Sequence, residues 1–147
     1  LGGYLVQDPD SVTESTEDFK VVTRVAPQPS EIEDMFFALK IVKHTRSNAI
    51  VLVRNRQLIG SGTGQSSRID AMRQAAHKAR TFDFDVQGAV MASDAFFPFA
   101  DSVEVAFQEG IRAVVQPGGS VKDQDSIDFC DRNNMAMVMT GRRHFKH

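Results

Sequence analysis

Val90-Met91-Ala92-Ser93-Asp94-Ala95-Phe96-Phe97-Pro98-Phe99 is the stretch on which the fold turns. Val90-Met91-Ala92 is a short strand, and it runs into a loop carrying three of the chain's 11 Phe residues. Pro98 has no backbone N–H and biases Phe97 away from helix, so the loop is extended and is not a helix end. Apolar rings fixed in such a loop need cover. The residues alone leave three sources of it open: the domain core, another chain or a flat ligand.

Downstream, Asp101 or Ser102 caps a helix that ends at Gly110, a suitable residue just past a helix end. Ala113-Val114-Val115 is the next strand. Pro117-Gly118-Gly119-Ser120 turns into a helix over Asp123 to Arg132, and Met135 to Thr140 is the last strand before a basic tail, Gly141 to His147. Upstream, Ser30-Glu31-Ile32-Glu33 has the form of a capping box opening a helix to about Thr45, with Ile32, Met35, Phe36, Leu39 and Val42 on its buried face. Ala49 to Val53 is a continuous apolar run, as in a strand covered on both faces. Asn55-Arg56 turns it toward a partner strand, Gln57 to Gly60. Gly60-Ser61-Gly62-Thr63-Gly64-Gln65 then leads into a helix over Ser67 to Thr81, with Ile69, Met72, Ala76 and Ala79 inward. The alternation predicts an α/β domain with a mixed, mostly parallel sheet and helices on both faces. Ligands in such sheets bind where loops leave the carboxyl ends of strands. Three loops qualify: Gly60 to Gln65, Ser93 to Asp101 and Pro117 to Ser120.

Residues 30–147 hold this pattern. Residues 1–29 read as an extended N-terminal segment, Leu1 to Gln7, and a solvated acidic linker, Asp8 to Asp18. Phe19 to Val25 then has strand character before Pro27 and Pro29. The 147 residues (16.3 kDa) carry 17 basic and 19 acidic side chains, a net charge of −2, which lacks the basic excess of a nucleic-acid footprint. No apolar run approaches membrane-spanning length. The lone Cys130 cannot form an internal disulfide and fits a reducing compartment such as the cytoplasm. The chain opens without Met, as a piece of a longer protein would.

Candidate chemistry is sparse. Gly62-Thr63-Gly64-Gln65-Ser66-Ser67 before a helix is either a plain turn or an anion cradle, with Arg68 beside it to pair with phosphate or carboxylate. Gly118-Gly119-Ser120 has the same two readings. Lys43-His44 imitates a tuned general base but falls in the last turn of a helix, where cations are favourable without any catalytic role. No His pair has zinc-ligand spacing, there is no Cys pair, and Ser93 lacks the glycines of a nucleophile elbow.

Five segments in order carry a resemblance over nearly the whole chain, beginning at Leu1-Gly2-Gly3-Tyr4-Leu5-Val6-Gln7-Asp8. They are Lys43 to Ile50 (KHTRSNAI), Gly62 to Arg68 (GTGQSSR), Met91 to Phe99 (MASDAFFPF), Gln116 to Ser120 (QPGGS) and Gly141 to His147 (GRRHFKH). Together they resemble the C-terminal part of the bifunctional purine biosynthesis family, which joins phosphoribosylaminoimidazolecarboxamide formyltransferase to IMP cyclohydrolase. The resemblance implies a cytidine deaminase-like three-layer fold without the deaminase zinc. It implies transfer of a formyl group from 10-formyltetrahydrofolate to the amine of aminoimidazole carboxamide ribonucleotide, and a homodimer with sites at the subunit interface. Motif matching puts Asn48, Arg68, Phe96 and Arg143 at nucleotide-binding positions and Ile69, Asp101, Ser120 and Val121 at folate-binding positions. Thr45, Ser47 and Asp94 match positions near a potassium ion. The family's catalytic Lys-His-x-x-Pro-x-Gly motif is absent, so no catalytic residue is assigned, and Ala100 stands where an Arg is common. The implied role is part of the formyltransferase site, inactive in isolation. A non-catalytic nucleotide- or folate-binding or dimer-assembly module is the alternative.

Overall fold

A computed structural model describes residues 2–147; Leu1, where the expected extended piece begins, lies outside the described residues. Ten regular elements follow a single 3-10 turn at Thr16–Asp18. They are β1 (Lys20–Val21), α1 (Pro29–Lys43), β2 (Ile50–Arg54), β3 (Gln57–Gly62), α2 (Arg68–Thr81), β4 (Val90–Ser93), α3 (Asp101–Gln108), β5 (Ala113–Gln116), α4 (Asp123–Arg132) and β6 (Ala136–Met139). One six-stranded sheet has the order β1-β6-β5-β4-β2-β3.

The sheet is mixed but not mostly parallel. Only β4–β5 and β5–β6 pair parallel, whereas β1–β6, β2–β3 and β2–β4 pair antiparallel. The cause is local. Asn55 and Arg56 both take positive φ, 53° and 57°, the geometry of a two-residue hairpin turn, and such a turn can only reverse the chain. The returning strand β3 then feeds α2, and β4 docks on the far side of β2, so β2 runs against both neighbours. Asp34 of α1 secures the turn: its carboxylate accepts Asn55 N–H at 2.9 Å and Arg56 N–H at 2.6 Å.

Strand residues alternate between two clusters, as a period of two requires. Ile50, Leu52, Met91, Val114 and Met137 join Ala71, Met72, Ala75, Val103, Ala106 and Cys130 of α2, α3 and α4. Val51, Val53, Val90, Ala92, Val115 and Val138 join Met35, Ala38, Leu39 and Val42 of α1. Each large apolar side chain sealed this way contributes about 1.5–3 kcal/mol. Helix α1 starts earlier than the Ser30 box predicts. Gln28 is its N-cap residue, its N–H donating to Glu31 Oε2 at 2.7 Å, and Pro29 takes the first helical position. Phe36 is only half-buried and stacks on Phe19 with centroids 4.2 Å apart.

Gly60 and Gly62 belong to β3 rather than to a loop. A Cβ on Gly62 would lie 1.9 Å from Ala71 O, and one on Gly60 would lie 2.2 Å from Ala75 O. These glycines let α2 lie directly on the strand; they do not cradle an anion. The acidic segment is not a solvated linker throughout, since Glu14 is buried. Strand β1 occupies two residues of the expected Phe19 to Val25 run.

Candidate functional site

Strands β3 to β6 point the same way and β2 opposes them, so one edge of the sheet collects several loops. Gly64 to Ser67, the Phe-rich loop after β4, Pro117 to Ser120 after β5 and the tail after β6 all emerge there, together with Asn48 ahead of β2.

Asp94 is the hub of this edge. It is fully buried, and its carboxylate accepts the Ser47 hydroxyl, Ala49 N–H (3.1 Å) and the Arg68 guanidinium. Its carbonyl accepts His144 N–H at 2.9 Å. Arg68, the first residue of α2, is itself only 6% exposed and also donates to Ala49 O at 3.3 Å and Asn48 Oδ1 at 2.9 Å. Asn48 Nδ2 donates to Gln65 O at 2.9 Å. The Arg68 charge is therefore neutralised inside the protein.

The Phe-rich loop divides its rings. Phe97 is fully buried in the core. Phe96 is half-buried, and Phe99 is 61% exposed. Phe96 lines a cleft of about 320 Å³ with Asn48, Ser66, Ser67, Arg68, Ala95, Pro98, Arg143 and Phe145. The structure thus brings Asn48, Arg68, Phe96 and Arg143 together in one place. Arg143 is exposed, with its guanidinium 4.8 Å above the Phe145 ring. It supplies positive charge to the opening, and the amino end of α2 adds its own N–H groups there. Phe145 escaped assignment from the sequence because its contribution depends on how the tail meets α2, whereas Ser66 and Ser67 belong to the stretch read there as a turn or an anion cradle.

Ile69, Asp101, Ser120 and Val121 do not line that cleft. They stand at or beside the starts of α2, α3 and α4 on the same edge. Val121 is fully exposed, and Asp101 Oδ1 already accepts Ser102 N–H at 2.7 Å. In the Gly118-Gly119-Ser120 turn, Gly119 N–H (2.7 Å) and Ser120 N–H (3.2 Å) both donate to Asp123 Oδ2. The chain's own carboxylate sits where an anion would bind.

Thr45, Ser47 and Asp94, matched to positions near a potassium ion, make contacts within the chain. Thr45 Oγ1 donates to Ile41 O at 2.8 Å, Ser47 donates to Asp94, and Arg68 pairs with the same carboxylate. Lys43 is buried and donates to Val12 O at 2.6 Å, while His44 is exposed. Ser93 Oγ donates to Ala95 O at 2.6 Å, and burial pushes the Cys130 thiol up to about 12. Neither Ser93 nor Cys130 is set up as a nucleophile. Among the described residues no helix is long and apolar enough to cross a membrane.

The model of the AICARFT/IMPCHase bienzyme family matches residues 1–78. The bifunctional purine biosynthesis protein PurH of Bacteroides thetaiotaomicron is 59% identical over 147 residues, all of this chain and 29% of the relative. PurH of Aquifex aeolicus is 53% identical over 146 residues and PurH of Chlorobium chlorochromatii 52% over 145, each covering 99% of this chain and 28% of the relative. The chain thus spans under a third of the length of these relatives. A crystal structure of a diaminohydroxyphosphoribosylaminopyrimidine deaminase/5-amino-6-(5-phosphoribosylamino)uracil reductase from Thermotoga maritima aligns with 76% of this chain and 35% of that one, at a TM-score of 0.49 and 17% identity.

Proposed function

This chain belongs to the AICARFT/IMPCHase bienzyme family, and from that premise we propose that it is the C-terminal part of the formyltransferase, holding the nucleotide side of its site. The mixed α/β sheet is then of the cytidine deaminase-like kind. The reaction joins the amine of aminoimidazole carboxamide ribonucleotide to the formyl carbon of 10-formyltetrahydrofolate. The C–N bond to the folate breaks, tetrahydrofolate leaves, and the amine loses a proton. Such an amine is a weak nucleophile, so a fixed acceptor geometry and a base are both needed.

One observation carries this assignment: the convergence of Asn48, Arg68, Phe96 and Arg143 on a single cleft. Arg143 supplies charge for an anionic ribonucleotide, Phe96 and Phe145 supply flat apolar faces for a base, and Asn48 supplies an amide for orientation. Arg68 acts one step back, holding Asn48 and Asp94 in place. Ile69, Asp101, Ser120 and Val121 form an open shelf for the folate. The opposite wall and the Lys-His pair come from the rest of the parent protein or from a second copy in a homodimer. The cytoplasm is the setting such biosynthesis implies.

The alternative, a binding or assembly module without turnover, draws on one fact. Neither Lys nor His is among the residues lining the cleft, so the chain offers no general base there. Titration calorimetry with aminoimidazole carboxamide ribonucleotide, paired with a formyl-transfer assay, decides. Binding that Arg143→Ala weakens about 10–100-fold, the range for losing a charge-assisted contact, is expected, with no turnover by this chain alone. Unchanged binding in Arg143→Ala refutes the assignment, and normal turnover refutes the missing base.

A further inference from the structure

The acidic segment absorbed none of the function, yet it grips the tail that carries Arg143. Gln7 Nε2 donates to Phe145 O, and Gln7 Oε1 accepts His147 N–H at 3.3 Å. His144 Nδ1 contacts Asp10 Oδ2 at 2.5 Å, and its Nε2 meets Glu14 Oε1. Asp18 Oδ1 accepts Arg142 Nε–H at 3.1 Å and forms an ion pair with its Nη2 at 3.1 Å. On the other side of the tail, His144 N–H donates to Asp94 O (2.9 Å), Ser47 N–H to Lys146 O (2.8 Å) and Lys146 N–H to Ser47 Oγ (2.8 Å). The tail's main chain is held from both flanks.

Side chains along the tail alternate. Arg142 and His144 pair with the acidic segment, whereas Arg143 and Phe145 line the cleft and, on their other side, a cavity of about 540 Å³ shared with Leu5, Gln7, Asp8 and Asp10. A slip of one residue would exchange the two sets, as in any extended chain. His144 is the member that forbids the slip. It is 3% exposed and sits between two carboxylates, one of them 7% exposed. Glu14 Oε2 is buried with no partner among the described residues, so the imidazole is the side-chain contact the structure gives that carboxylate. Lys43 Nζ, 3.9 Å from Asp10, balances the second negative charge.

We propose that residues 7–18 form a strap that sets the register of the tail, with His144, clasped by Asp10 and Glu14, as the positioning residue that presents Arg143 and Phe145 to the ligand. The proposal rests on the cleft being the nucleotide site, and its test separates the two. Glu14→Gln and, at the surface, Gln7→Ala are compared with Asp34→Ala, which disturbs the β2–β3 turn at the opposite edge of the sheet. Two quantities are read in each: affinity for aminoimidazole carboxamide ribonucleotide by calorimetry, and NMR signals of the Arg143 Nε–H and the Phe145 amide. Glu14→Gln is expected to weaken binding about tenfold, the loss of one charge-assisted contact, and to shift both tail signals. Gln7→Ala shifts the Phe145 signal with a smaller loss, and Asp34→Ala leaves affinity and tail signals unchanged. Unshifted tail signals in Glu14→Gln and Gln7→Ala overturn the strap, as does affinity that falls no further than in Asp34→Ala. If the unmodified chain binds no ribonucleotide, the cleft assignment falls, and the tail signals alone decide the strap.

Discussion

Replacing Arg68 with Met tests whether the Asp94 hub is structural before it is a ligand contact. The substitution keeps an unbranched apolar stem but removes the guanidinium. Asp94, fully buried, keeps Ser47 and Ala49 as donors and loses its only countercharge among the described residues; Asn48 Oδ1 and Ala49 O lose a donor each. Breaking one side of a buried ion pair costs about 3–5 kcal/mol. That is a large share of the roughly 5–15 kcal/mol that holds a domain together. At about 2–4 °C per kcal/mol for a chain of this size, the melting temperature should fall by about 6–20 °C. Urea unfolding followed by circular dichroism measures the loss directly. The double variant Arg68→Met/Asp94→Asn is expected to recover at least half of it, since no buried charge is then left alone. A loss below about 1 kcal/mol in Arg68→Met, or a double variant no more stable than the single one, would refute the hub. It follows that lost binding in an Arg68 variant says little about ligand contact. Arg143, exposed and outside the hub, is the informative position.

Three further outcomes follow from particular contacts. Burial pulls the His144 imidazole toward its neutral form, but the hydrogen bonds and charges of Glu14 and Asp10 outweigh it and raise the pKa. The clasp's contribution to stability is therefore full below about 6.5, the ordinary histidine value, and is lost as pH rises through the higher folded value; a His144→Asn variant whose stability falls with pH just as the parent's does would contradict this. Asp34→Ala removes the acceptor for two turn N–H groups and should cost about 1–3 kcal/mol in urea unfolding, and a change within error would mean the turn holds itself. Gly62→Ala places a methyl on Ala71 O and should cost more than about 3 kcal/mol or abolish folding; a melting temperature within a few degrees of the parent would show that α2 can lift off β3.

What the sequence displayed was local. Helix α4 falls on Asp123–Arg132 and α2 on Arg68–Thr81, because Ser67 caps α2 by accepting Asp70 N–H and no rival cap lies nearby. The Ser30 box failed for the opposite reason: Pro29 offers a preset φ one position earlier and Glu31 serves Gln28 equally well. Strand direction was hidden, because hydrophobic runs do not record it and a two-residue turn outweighs the alternation of helices and strands. Gly60 and Gly62 signalled a loop by composition, but their smallness answers a helix that arrives later in the chain. The acidic segment was misjudged in the same way, since Glu14 finds its partner 130 residues on, at His144.

The Phe-rich loop owes its shape less to its rings than to Asp94. Phe97 anchors it, and truncating a fully buried Phe typically costs about 3–5 kcal/mol. But Phe97 fixes only one point. Asp94 joins four segments: Ser47 and Ala49 ahead of β2, Arg68 at the head of α2, the loop itself, and the tail through His144 N–H. Each of those segments contributes a residue to the cleft wall. A ligand there meets parts from distant points of the chain that cannot move independently, because all are tied to one buried residue, Asp94, through its carboxylate or its main-chain carbonyl. Rigid placement of that kind is what the proposed acceptor, with its weakly nucleophilic amine, would require. It also explains the division of labour between the arginines. A guanidinium committed to Asp94 orients the site, and only the one left outside, Arg143, can respond to the charge of what binds.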